Sequence, residues 1–244
     1  MNQDDYSEQL PSPPEETGSI PEPPKLIVPF EDPTKEFFTG LFETMKLVLF
    51  EPTRFFRDYK LDGSIGRPLL FAVMIGWTAA TVSAMWGTVV NKSILSYLQE
   101  RMPDLEGVDW ERLASGGSSM DFAFTLILAP IFIVFGLFII AGVYHLFLMI
   151  AKGANKNFET TFNVVAYGMV TRLAEFIPFC GSLIAWIYGL VLAIIGLAGA
   201  HKTDSGKAAF AVLAPVLLCC FCILMIFMMI GATGFMAVLN KSLR

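Results

Sequence analysis

The chain has 244 residues, 55% of them apolar and only 16% charged, with a net charge of −5. About a quarter of an ordinary soluble domain is charged, so this balance excludes a large soluble globule and points to a polytopic membrane protein. The acidic excess sits mostly in the first 33 residues, and no basic block interleaved with aromatics suggests a nucleic-acid partner.

Residues 1–33 contain eight of the fourteen prolines, eight acids and one lysine. Such a segment buries too little apolar surface to offset its ordering entropy. It is expected to be a disordered acidic, Pro-rich cytosolic tail, either a solvated leader or a docking peptide for a protein partner. Its start lacks the basic and apolar regions of a secretory signal, so the first spanning helix is expected to direct insertion.

Residues 34–58 set Phe38, Leu41, Phe42, Met45, Val48 and Leu49 at helical spacing, with Lys35, Glu36, Glu43 and Lys46 on other faces. Pro52 stops this run, and Phe55 and Phe56 continue it between Arg54 and Arg57. The segment is too charged to span, and predicts an amphipathic interfacial helix with Phe turned inward and basic residues toward lipid phosphate. Packing on a helix bundle is the other reading.

Five spanning helices are expected next, at about 68–90, 120–150, 160–177, 182–200 and 208–239. The first has no charge over a length sufficient for a ~30 Å hydrocarbon core, and Gly76, Ala80, Ala84 and Thr88 recur every fourth residue, which permits close helix approach. The loop that follows, 91–119, is acidic through Asp104, Glu106, Asp109 and Glu111 and reads as solvated; its spacing is not that of a calcium loop. The second helix is overlong and predicts a tilt or a kink near Pro130. It carries His145, an intramembrane ionisable residue that is read either as a site or as a hydrogen-bonded packing residue.

The third helix is the least apolar, with Asn163, Tyr167, Thr171, Arg172 and Glu175. Arg172 and Glu175 are three apart and pair on one helix face. That face points either to the bundle interior or a wet cavity, or to the headgroup level with Arg172 snorkelling to phosphate. A short turn through Pro178 and Gly181 joins it to the fourth helix as an antiparallel hairpin, with Trp186 and Tyr188 in an aromatic belt. The polar loop 201–207 supplies His201, Gly206 and Lys207. The fifth helix is again overlong and contains Pro215, Met225, Met228 and Met229 as apolar filler, and Cys219, Cys220 and Cys222, read as small hydrophobes.

No glycine-rich phosphate loop appears, and no Ser or Cys has a base in sequence context. His145 and His201 are too isolated to define a metal site. The sequence therefore predicts no enzyme, no catalytic residue, no cofactor and no metal. Lys and Arg near the helix ends number eight on the side of Arg54, Arg57, Lys60, Arg67, Lys152, Lys156, Lys202 and Lys207, against five on the side of Lys92, Arg101, Arg112, Lys241 and Arg244. The balance places the N-terminus in the cytoplasm.

Four features together resemble the Yip domain family, named for members that interact with Ypt/Rab GTPases. They are the N-terminal tail, the run Pro52-Thr53-Arg54-Phe55-Phe56 before the first span, five spans, and Tyr167-Gly168 followed by Ile177-Pro178-Phe179-Cys180-Gly181 and Gly206-Lys207-Ala208. The resemblance covers about residues 40–240. It implies an all-α integral membrane protein of five helices without enzymatic activity, a family whose eukaryotic members shape or organise secretory membranes. The amphipathic helix, the acidic tail and the small-residue ribbons lead to the expectation of a protein that organises membrane or binds lipid or protein partners, a second copy of the chain among them. The Asp-Leu-Tyr-Gly-Pro motif of eukaryotic members is absent here, and the short loops resemble bacterial members, implying a bacterial inner membrane. The candidate lipid or transport residues are Arg172, Glu175, Asn163, Tyr167, His145 and His201. Pro178, Gly181, Gly206 and Lys207 are candidate structural positions. A small transporter or lipid-translocating protein with a polar path at Arg172 and Glu175 is the alternative function.

Overall fold

A computed structural model describes residues 25–101 and 119–242. The tail up to residue 24 and the acidic residues Asp104, Glu106, Asp109 and Glu111 lie outside the described residues. Among the described residues the architecture is all-helical: α1 (Phe37–Phe50), α2 (Pro52–Asp58), α3 (Gly66–Arg101), α4 (Ser119–Ile150), α5 (Phe158–Gly168), a 3-10 helix (Met169–Phe176), α6 (Gly181–His201) and α7 (Ser205–Ser242).

Four helices among the described residues are long and apolar enough to cross a membrane: α3, α4 over Leu126–Ile150, α6, and α7 over Ser205–Gly231. The expected span 160–177 is not one of them. It is built in two pieces, because the α-helix gives way after Gly168 to the tighter 3-10 form. Thr171 contributes to that change, its hydroxyl donating back to the Gly168 carbonyl at 3.0 Å and competing with the regular ladder.

The bundle packs α3 against α4 and the 3-10 helix, and α6 against the 3-10 helix, α5 and α7, while α4 also touches α5 and α7. Small residues set the closest approach. A Cβ on Gly76 of α3 would lie 2.8 Å from Met169 Cε and 3.1 Å from Ile133 Cδ1. A Cβ on Gly196 of α6 would lie 2.5 Å from Val164 Cγ1. The helix α4 runs on through Pro130. A proline inside a helix removes the N–H that would bond the carbonyl four residues earlier, here that of Leu126. The Trp77 indole of α3 donates to that carbonyl at 2.9 Å, so the orphaned acceptor becomes a link between two helices.

The N-terminal elements fold onto one end of the bundle. Leu26 pairs with Tyr59 as an isolated parallel bridge, through Leu26 N to Asp58 O at 3.0 Å and Lys60 N to Leu26 O at 2.8 Å. Val28 and Phe30 are buried, and Phe30 N donates to Thr44 Oγ1 at 3.0 Å. Packed structure is thus present at residues 26–30, inside the stretch expected to be solvated, because Val28 and Phe30 give it apolar surface to bury. Gly40 lets α1 press on this strap, since a Cβ there would lie 2.5 Å from the Pro29 carbonyl oxygen.

Helix α1 buries Gly40, Leu41, Thr44 and Val48 against the bundle and leaves Phe38, Phe42 and Phe50 exposed. Its last carbonyls lack helical partners, and the Tyr188 hydroxyl of α6 donates to that of Leu49. Pro52 occupies the first turn of α2, where its missing N–H costs nothing. Phe55 and Phe56 of α2 enter the main core with Phe71, Tyr167, Leu192 and Leu197.

Candidate functional site

The 3-10 helix carries the ion pair. Arg172 Nη2 lies 2.8 Å from Glu175 Oε1, with the Arg172 side chain 39% exposed and that of Glu175 only 8%. The three-residue spacing stacks the two side chains, because residues i and i+3 eclipse in a 3-10 helix. The pair lies close to the hairpin turn, where Gly181 opens α6. A Cβ at Gly181 would fall 2.1 Å from the Ala174 carbonyl oxygen, so the turn closes only on glycine. Phe179 of that turn takes φ 70°, the left-handed region, and is 85% exposed.

Two recesses open at this pair, one lined by each partner. One is a cleft of about 490 Å3 between α3, α4 and the 3-10 helix. Its walls are almost wholly apolar, running along α4 from Phe124 to Ile140 with Ala80 and Met169 opposite, and Arg172 is its charged member. The other, of about 220 Å3, is lined by Glu175 with Ser83, Trp86, Phe179 and Ser182. Two buried polar atoms of the pair, Arg172 Nε and Glu175 Oε2, have no hydrogen-bond partner among the described residues. A carboxylate oxygen in that condition is costly unless something donates to it.

The remaining sequence-predicted residues fall elsewhere. Asn163 is buried, its amide donating to the Leu61 carbonyl at 2.8 Å, while its Oδ1 has no partner among the described residues. Tyr167 is buried in the core and its hydroxyl donates to Glu31 of the strap. His145 and His201 come together through Thr161. The Lys156 backbone N–H donates to His201 Nδ1 at 3.2 Å, so the ring proton of neutral His201 sits on Nε2. That N–H donates to Thr161 Oγ1 at 2.9 Å, leaving the hydroxyl proton for His145 Nδ1 at 2.8 Å.

Gly206 and Lys207 serve the loops at that same end. Gly206 N donates to Asp204 Oδ2 at 2.7 Å, and Lys207 Nζ donates to the Lys152 carbonyl at 3.0 Å. Lys152 and Lys202 both take left-handed φ, 53° and 50°, where α4 and α6 end. Asn155 Nδ2 donates to the Lys202 carbonyl at 3.4 Å, the counterpart of the Lys207 contact.

Eight of the ten predicted residues fall into two groups, apart from Asn163 and Tyr167. Arg172, Glu175, Pro178 and Gly181 lie at the hairpin end, and His145, His201, Gly206 and Lys207 at the strap end. Thr161, Glu31 and the α4 wall of the cleft were not singled out in the sequence. Only the proline in α4 hinted at an irregularity beside the cleft. Among the described residues no three His, Cys, Asp or Glu side chains converge on a metal position.

The family model of the Yip1 domain matches residues 46–227. No curated protein and no solved structure matches the chain. That match spans most of the chain and contains α3, α4, α6, most of the α7 span, the ion pair and the hairpin; with its four apolar helices among the described residues the molecule is an integral multi-pass membrane protein, and it belongs to the Yip1 domain family.

Proposed function

We propose that this protein is a non-enzymatic lipid-binding organiser of its membrane, with the cleft between α3, α4 and the 3-10 helix as the lipid site. The observation that carries this reading is Arg172 at an otherwise apolar cleft. A guanidinium recognises phosphate oxygens through paired N–H donors, and an apolar wall that continues along a helix suits an acyl chain. Phe124 to Ile140 spans about 24 Å at 1.5 Å per residue, close to the length of one extended chain.

We further propose a fifth crossing made of α5 and the 3-10 helix. Eleven residues at 1.5 Å and eight at 2.0 Å reach about 32 Å, enough for a hydrocarbon core. The strap end then faces a bacterial cytoplasm from the inner membrane, in keeping with the Lys and Arg balance. The exposed Phe38 and Phe42 of α1 suit contact with the bilayer interface, and the N-terminal tail is left to engage a protein partner.

Purification in mild detergent followed by native mass spectrometry tests the lipid site. Wild-type protein is expected to carry phospholipid, and Arg172→Ala to lose most of it while remaining monodisperse. Equal phospholipid on both would remove the reading.

A second reading, lipid translocation, is favoured by one feature: Asn163 Oδ1 and Glu175 Oε2 are both buried acceptors without partners on the same composite helix. It requires headgroup flux in reconstituted vesicles that Arg172→Ala and Glu175→Ala abolish. Flux equal to that of empty vesicles would discard it.

A further inference from the structure

We propose that Arg172 and Glu175 together read a phospholipid headgroup bearing both a phosphate and a primary ammonium, as in an aminophospholipid. The inference rests on the lipid-site reading above and adds the headgroup class.

Its basis is that one ion pair serves two recesses. Arg172 lines the apolar cleft, while Glu175 lines the smaller recess beside Trp86, Ser83 and Ser182. The guanidinium and the carboxylate are 2.8 Å apart, so an anion and a cation bound to them sit side by side. That spacing suits a phosphate and an ammonium joined by a two-carbon linker, with the acyl chains running down the cleft.

The charge balance selects the ammonium. A phosphate arriving at Arg172 draws the guanidinium away from Glu175. Glu175 is 8% exposed, and a carboxylate left alone at that burial is strongly disfavoured. An incoming cation restores the compensation, which a purely anionic headgroup cannot do. Glu175 Oε2 is buried and without a partner among the described residues, and the group that satisfies it must carry an N–H or O–H donor. A trimethylated ammonium has none, so a primary ammonium is favoured over a quaternary one.

The test is competition. Full-length protein, stripped of lipid in detergent, is mixed with equal amounts of phosphatidylethanolamine, phosphatidylglycerol and phosphatidylcholine of identical acyl chains, and bound lipid is read by native mass spectrometry. Wild type is expected to retain phosphatidylethanolamine about tenfold over either competitor, the scale of one charge-assisted hydrogen bond. Glu175→Gln is expected to keep binding phospholipid but to lose the preference over phosphatidylglycerol. Arg172→Lys is expected to keep the preference and Arg172→Ala to lose all three lipids. Equal retention of the three by wild type, or an unchanged preference in Glu175→Gln, overturns the headgroup assignment and leaves the lipid site standing. No phospholipid on wild type, or undiminished phospholipid on Arg172→Ala, overturns the lipid site itself. The wild-type competition decides the headgroup without depending on how any variant folds.

Discussion

The Tyr167 hydroxyl donates to the carboxylate of Glu31 across a chain separation of 136 residues. This bond ties the N-terminal strap to α5, in a core where Tyr167 also meets the rings of Phe55 and Phe71. Burial raises the Glu31 carboxyl above its ordinary value near 4.5, with the Tyr167 hydrogen bond and the charges of Arg67 and Lys60 opposing the rise.

The sign of the pH dependence follows. From about pH 4.5 up through the raised value, the folded chain holds a proton at Glu31 that the unfolded chain has released, so stability falls as pH rises across that window. Protection factors at residues 26–32, which divide out the intrinsic rise of exchange with pH, are expected to be highest below the window and to fall through it. Glu31→Gln keeps an acceptor for Tyr167 and is expected to flatten the profile. A wild-type profile already flat across the window would refute the assignment.

Thr161 is the hinge of the histidine cluster. Thr161→Val preserves shape but leaves the His201 Nε2–H without its acceptor, in a residue that is fully buried. An unsatisfied buried donor costs about 1–3 kcal/mol, so thermal unfolding in detergent should fall clearly for Val and little for Thr161→Ser. Equal midpoints for the two variants would show that the hydroxyl is dispensable.

Gly181 and Gly142 make opposite predictions. A Cβ at Gly181 meets backbone at 2.1 Å, whereas nothing lies within 4 Å of one at Gly142. Gly181→Ala must displace the hairpin and is expected to cost at least the ~1–3 kcal/mol of an overpacked site. Gly142→Ala gains helix propensity, up to about 1 kcal/mol. Matched thermal unfolding of the two variants checks the ordering, and a Gly181→Ala protein as stable as wild type would contradict the close approach.

The ion pair has its own stability test. Arg172→Ala strands the buried Glu175 carboxylate, while the double variant Arg172→Ala/Glu175→Ala removes both charges. The single variant is expected to be less stable than the double by about 1 kcal/mol, a figure lowered for the solvent reaching Arg172. If the double variant proves the less stable, Glu175 is not held by Arg172.

Much of the bundle was legible because hydrophobic partition is a local property. The uncharged run after Arg67, the apolar run ending at His201 and the long run after Lys207 each declare a crossing by composition alone. The stretch 160–177 was harder, since Arg172, Glu175 and Thr171 dilute its apolar signal and the change to a 3-10 helix leaves no periodic mark of its own. Val28 and Phe30 were hidden by the acidic, proline-rich residues around them, although two apolar side chains suffice to seat a strap on a preformed core.

The sequence by itself determined that this is a helical membrane protein with an Arg172–Glu175 pair before a glycine-closed hairpin. Those features follow from residue type and from neighbours three or four positions away. Only the tertiary structure decided which polar groups meet. It gave Leu61 to Asn163, Glu31 to Tyr167, and Thr161 to both histidines. It also placed Arg172 at an apolar cleft and Glu175 at a separate recess. These outcomes depend on how helices distant in the chain cross and how closely their small residues let them approach, which local spacing does not encode.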